Sequence, residues 1–164
     1  VHRLVLAGTG PGGTPDAPAT PDRVWEVAGK PVNDDADFLY LFFPDSATAI
    51  AAGRAHLARL DRRVEPFGPQ VKPASVMAQM QALGTWGRGL GSAWARLPAL
   101  DLPVLVANGA HDVMVHAFHS WAMSQRLPQA ELVLYPDAGH GFLFQHAQRF
   151  AAHVHGFLGE AGAG

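Results

Sequence analysis

The sequence contains no cysteine, so it has no disulfide framework, no thiolate nucleophile and no thiolate-bound metal. Long apolar runs are missing as well. Stretches such as residues 38–43 and 104–107 fall far short of the roughly 20 residues that cross a bilayer, and no membrane partner is expected. Positive charge is neither abundant nor clustered: twelve Lys and Arg stand against fourteen Asp and Glu, a net charge of −2. The counterion release that drives nucleic-acid binding has no basic patch to act through, so no nucleic-acid partner is expected either. The lack of cysteine fits the cytoplasm, which is the expected location.

What is present is 164 residues of 48% hydrophobic composition, enough for one ordinary globular unit. Val1 stands in a strand-like run rather than in a leader with a basic start. The chain is therefore expected to begin inside a longer protein. Its Gly- and Ala-rich last residues read as a frayed natural end.

Residues 1–7 form a short apolar block that stops at Gly8, the pattern of a strand buried on both faces. From 8 to 23 the density of Gly and Pro forbids helix and ladder alike and predicts a loop. The aromatic and aliphatic run 38–43 reads as an apolar strand or core segment, with an aromatic substrate wall as the alternative. Asp45 or Ser46 then caps a helix expected to end near Arg63, and Pro73 opens a second that stops at Gly84 and Gly87. Trp86, Trp94, Trp121, Met77 and Met80 are expected in the core, lining an apolar pocket being the sharper alternative. Residues 103–107 and 132–135 repeat the buried-strand pattern, each followed by a loop and an amphipathic stretch. Strands alternating with helices predict an α/β fold with about three parallel strands, flanking helices and a helical insertion over residues 14–98. Ligands of such sheets sit at the carboxyl ends of the strands.

Both loops at those ends carry titratable groups: Asn108-Gly109-Ala110-His111-Asp112 after one strand, and Asp137-Ala138-Gly139-His140-Gly141 after the next. On adjacent strands this puts Asp112 and His140 on one rim, where a carboxylate can orient an imidazole that acts as general base. Glycines on both sides of His140 suit a loop whose backbone passes close to something else. Plainer roles stand beside these, a turn or cap aspartate at 112 and a satisfied loop histidine at 140. Asp137 is nearer to His140 in sequence and is the alternative acid.

Other patterns give less. Gly8, Gly10 and Gly13 spell the dinucleotide fingerprint, but Pro11, Pro15 and Pro18 leave no helix to open behind it. His111, His116 and His119 crowd around Asp112, a metal-site alternative that lacks an obvious third ligand and supporting shell. His153 and His155, on opposite faces of the last helix, read as surface residues. Neither a metal nor a cofactor is expected.

The two loops together, Gly-x-x-Asp after one strand and Asp-x-Gly-His after the next, resemble the C-terminal portion of the alpha/beta-hydrolase family. The resemblance covers nearly the whole chain. It implies that residues 1–8 are the strand after the nucleophile helix, that 102–112 deliver the acid and 130–142 the histidine, and that a final helix starts near Gln145. On this likeness residues 1–13 and 99–164 are the trailing part of the hydrolase core and 14–98 its cap. The family's triad order is nucleophile, acid, histidine. Its Gly-x-Ser-x-Gly elbow is absent, since Ser46, Ser75, Ser92, Ser120 and Ser124 all lack that surrounding. The implied protein is a hydrolase of esters, lactones or related small organic substrates, carrying Asp112 and His140 as its catalytic pair, and the chain alone is expected to be silent. The expected partners are a small organic substrate and either the missing N-terminal half or a second copy at an exposed sheet edge. The alternative is a non-catalytic remnant or binding module.

Overall fold

The computed structural model describes residues 1–64 and 71–159. Three strands, β1 (Leu4–Ala7), β2 (Val104–Gly109) and β3 (Ala130–Tyr135), form one parallel sheet in the order β1-β2-β3. Leu4 pairs with Val104, and Val104 with Ala130, so the strands start level. All six residues of β2 are buried, as a central strand of near-continuous apolar sequence should be. β1 is shorter than its apolar block and only half-buried, not buried on both faces as expected. Among the described residues it is paired on one side alone, so it lacks the second neighbour that two-sided burial needs.

Side-chain alternation along the strands builds two apolar layers. Val104 and Val106 face Met123 of α5 (Ala117–Arg126) and Leu127 just beyond it, together with Leu97 from a 3-10 turn over Trp94–Ala99. Ala107 and Tyr135 face the other way, against Phe142 at the start of α6 (Phe142–Gln145) and Phe150 of α7 (Ala147–Gly159). The final helix thus starts slightly earlier than expected and is broken at His146, whose backbone is not helical. Tyr135 is fully buried, and its hydroxyl is satisfied by His153 Nδ1 at 2.7 Å. His153 is therefore not the surface residue expected: a buried phenol needs a partner, and the last helix supplies one.

The middle of the chain is helical. α1 (Asp22–Ala28) takes the last residues of the predicted loop. α2 (Asp35–Phe42) takes most of the aromatic run, for which a strand or a core segment is expected, because Asp34 starts a helix there. The Asp34 carboxylate accepts from the Asp37 backbone N–H at 2.9 Å, and Asp37 returns the bond to Asp34 N–H at 3.2 Å. This reciprocal cap outweighs the strand preference of the aromatics. Lys30 at the end of the α1 turn pairs with Asp37 and holds its carboxyl below the usual value. α3 (Ala47–Val64) begins at Ser46 as expected, its Oγ accepting from Ala49 N–H at 3.0 Å. Leu39 and Phe43 pack against Ala49 and Leu57, so the aromatic run is core.

α4 (Pro73–Gly87) forms where predicted but buries none of its residues. Met77 is 70% exposed, and Trp86 and, on α5, Trp121 are also exposed, against the expectation of core packing. Periodicity fixes which residues share a face; it does not supply a neighbouring element to cover it. α4 meets the loop after β1 at its C-terminal end, where Trp86 Nε1–H donates to the Gly10 carbonyl and Gly12 has no room for a side chain. Among the described residues no helix is long and apolar enough to cross a membrane.

Phe142 is fully buried in the second of these layers, stacked on Tyr135 and edge-on to Phe150. Phe142→Ala should cost about 3–5 kcal/mol, seen as a lower urea midpoint with little change in slope; a loss below about 1 kcal/mol would show that this side of the sheet collapses around the cavity.

Candidate active site

β2 and β3 end together, Gly109 opposite Tyr135, so their loops leave the sheet at one rim. The loops are stitched to each other at once. Ala110 N–H donates to Tyr135 O and His111 N–H to Ala138 O, each at 2.9 Å. The approach is so close that a side chain at Gly109 would lie 2.1 Å from the Gly139 carbonyl oxygen, which only glycine avoids.

The acid loop is folded around its own side chains. Asn108, fully buried near the end of β2, accepts from Gly109 N–H at 2.8 Å and donates through Nδ2 to Val115 O at 2.9 Å. Asp112 Oδ1 accepts from Met114 N–H and Val115 N–H, both at 2.8 Å. Its other oxygen, Oδ2, meets His140 Nδ1 at 2.8 Å. The Asp112 carboxylate has no exposed surface and His140 keeps 24% of its side chain accessible. A carboxylate can stay ionised without water when every oxygen has a donor, and here two amides and an imidazole provide them. With Nδ1–H donating to the carboxylate, the lone pair of the neutral ring sits on Nε2, the nitrogen able to take a proton from a neighbour. Gly8, at the carboxyl end of β1, lies against the imidazole, where an added side chain would come 3.2 Å from Cε1. The Phe42 ring tilts over the same imidazole with 5.6 Å between centroids.

The other candidates point elsewhere. Asp137, in a left-handed backbone conformation, accepts from Thr48 Oγ1, and the hydroxyls of Thr48 and Ser46 hold its carboxyl below the usual range. His116 caps α5, its Nδ1 accepting from Phe118 N–H at 3.1 Å, while His119 Nδ1 pairs with Thr14 Oγ1 at 2.9 Å. His116 and His119 thus turn to different partners, and among the described residues no three His, Asp or Glu side chains converge. No helix opens after Gly8, Gly10 and Gly13; the first one downstream is α1. Gly13 instead packs on Gly89 beyond α4. Phe42 enters the sequence reading only as part of the run 38–43, and Asn108 is given no role there, although a lone carboxamide inside an apolar strand is a legible signal.

Two outcomes follow from this geometry. Asn108→Ala strands the Val115 carbonyl and the Gly109 amide in the interior and should cost about 1–3 kcal/mol in urea unfolding; a variant as stable as its parent would show that the clamp carries no load. Burial depresses the pKa of His119 below 6.5, aided by His116 and opposed by Asp112, and burial and Arg59 do the same for His56. Both rings then protonate more readily in the unfolded chain, so stability falls as pH drops from about 7 toward the folded values. Melting temperatures at about pH 7.5 and 5.5 should differ less in a His56→Gln, His119→Gln double variant than in the parent; an equal difference contradicts the assignment.

Residues 53–147, more than half of the chain, match the family described as alpha/beta hydrolase fold. An alpha/beta hydrolase fold protein from Chitinophaga pinensis superposes with a TM-score of 0.82 at 26% identity, over 98% of this chain and 57% of that one. A 2-hydroxymuconate semialdehyde hydrolase of Pseudomonas sp. (strain CF600) is 36% identical over 78 residues, 48% of this chain and 28% of the relative. A pimeloyl-[acyl-carrier protein] methyl ester esterase of Nitrosomonas europaea is 32% identical over 85 residues, 52% of this chain and 32% of the relative. The chain thus spans little more than half of the solved relative, and its aligned stretches a third or less of the two curated ones. With three parallel strands, flanking helices and this extent of match, the chain belongs to the alpha/beta-hydrolase fold family.

Proposed function

We propose that Asp112 and His140 are the acid and the base of a hydrolytic triad, and that the nucleophile is supplied by a segment outside these 164 residues. The observation that carries this reading is the 2.8 Å contact between Asp112 Oδ2 and His140 Nδ1 at the carboxyl rim of a parallel sheet. In the reaction, His140 Nε2 takes the proton of the attacking hydroxyl and returns it to the leaving group. Asp112 holds the ring in the tautomer that permits this and stabilises the imidazolium formed on the way.

None of the chain's serines supports a nucleophile. None sits in a Gly-x-Ser-x-Gly setting. Ser92 Oγ is engaged with the Pro11 and Gly12 carbonyls, and Ser120 is fully buried. Residues 14–98 act as a cap over the rim. The substrate is a small organic molecule of low charge: the Phe42 ring borders His140, and α4 exposes apolar side chains and carries no charged residue. The named activities of the relatives, on a semialdehyde and on a methyl ester, do not choose the bond. The open edge of β1 is where the complementing segment, or a second copy, adds a strand.

The test is turnover of p-nitrophenyl butyrate by the chain alone and by a chimera that adds the N-terminal portion of the Chitinophaga pinensis protein. The chain alone should stay at background. The chimera should be active and lose at least about a thousandfold on His140→Ala. Hydrolysis by the chain alone that depends on His140, or chimera activity indifferent to His140, would contradict the proposal.

A further inference from the structure

The loop that carries His140 is docked on the elbow between α2 and α3. Gly141 N–H donates to the Phe42 carbonyl at 2.7 Å. A side chain at Gly139 or at Gly141 would come 2.9 Å from that same oxygen, so both glycines that flank His140 are there to admit it. At one end of the loop Asp137 accepts from Thr48 Oγ1 in the first turn of α3. At the other, Phe144 stacks on His56 of α3 with 4.3 Å between ring centroids. Between these anchors the Phe42 ring lies against the imidazole itself.

We propose that this elbow is the mount of the general base, and that Phe42 is a positioning residue whose carbonyl sets the loop and whose ring sets the tilt of the His140 imidazole. The inference rests on the reading of His140 as base. A single hydrogen bond to Asp112 fixes one atom of the ring and leaves rotation about that contact; a second surface is needed to define the plane in which Nε2 points. Phe42 and Gly8 supply that surface from the helical layer and from β1. The consequence is that the base moves with the α2–α3 elbow, so a displacement of this part of the cap would misalign His140 and Asp112 together.

The experiment uses the 164-residue chain with 15N-labelled histidine, following by NMR the low-field Nδ1–H proton of His140 and its exchange with water. His140→Gln identifies the resonance. It should be present in the unsubstituted chain and vanish in Asp112→Ala. Phe42→Ala should speed its exchange about three- to tenfold, the range a ring contact is worth, and Phe42→Tyr should restore the parent rate. Thr48→Val removes only the exposed anchor and should raise the rate in the same direction with the fold intact, so it decides the matter if Phe42→Ala does not fold. Parent-like exchange in Thr48→Val and in a folded Phe42→Ala overturns the positioning role while leaving the acid–base pair standing. A resonance that is absent from the parent chain, or that survives Asp112→Ala, overturns the pair and this inference with it.

Discussion

The hydrogen bond from the His140 imidazole to the Asp112 carboxylate closes a gap of 28 residues, and the arrangement around it follows from making that contact possible. It needs two parallel strands that end at the same level, which the register of β2 and β3 provides. It needs a carboxylate kept from water yet ionised, which the Met114 and Val115 amides provide. It also needs loops that cross within van der Waals distance, which Gly109 and Gly139 permit. The cost of burying the charge is offset by geometry rather than by solvent, so a small displacement of either loop has a large penalty.

The helical middle is bound to this pair from two sides. Val24, Val27 and Leu41 pack with Val113 and Met114, placing α1 and α2 against the acid loop. Leu39, Phe43 and Leu57 gather Phe144, placing α2 and α3 against the histidine loop. The helices between β1 and β2 therefore brace both loops. α4 differs in kind: it is apolar, exposed and attached at its C-terminal end through Trp86. A helix so held contributes little to the core and leaves its apolar surface exposed.

The sheet and the pair were legible in the sequence because both rest on local signals. β2 and β3 are short apolar runs ended by Gly or Pro, and Asp112 and His140 follow them at the positions where such sheets place their chemistry. Residues 38–43 are core, one of the two expected readings, but helical rather than extended, because the helix is decided four residues earlier by the exchange between Asp34 and Asp37. The exposure of Met77, Trp86 and Trp121 was not legible, since burial depends on what lies opposite and not on the residue itself. His153 was misread for a related reason: its partner, the Tyr135 hydroxyl, comes from a strand and is invisible to helical periodicity. Phe42 was visible only as one member of the aromatic run 38–43, and the glycines around His140 announced a close approach without saying to what.

In this geometry Asp112 fixes His140 with Nδ1 protonated and Nε2 bare. The 15N shifts of the His140 ring in its neutral form test this directly. They should show a protonated Nδ1 and a lone pair on Nε2 in the parent chain, with the two tautomers mixing once Asp112 is replaced by alanine. A ring protonated at Nε2 in the parent, or a tautomer indifferent to Asp112, would contradict it.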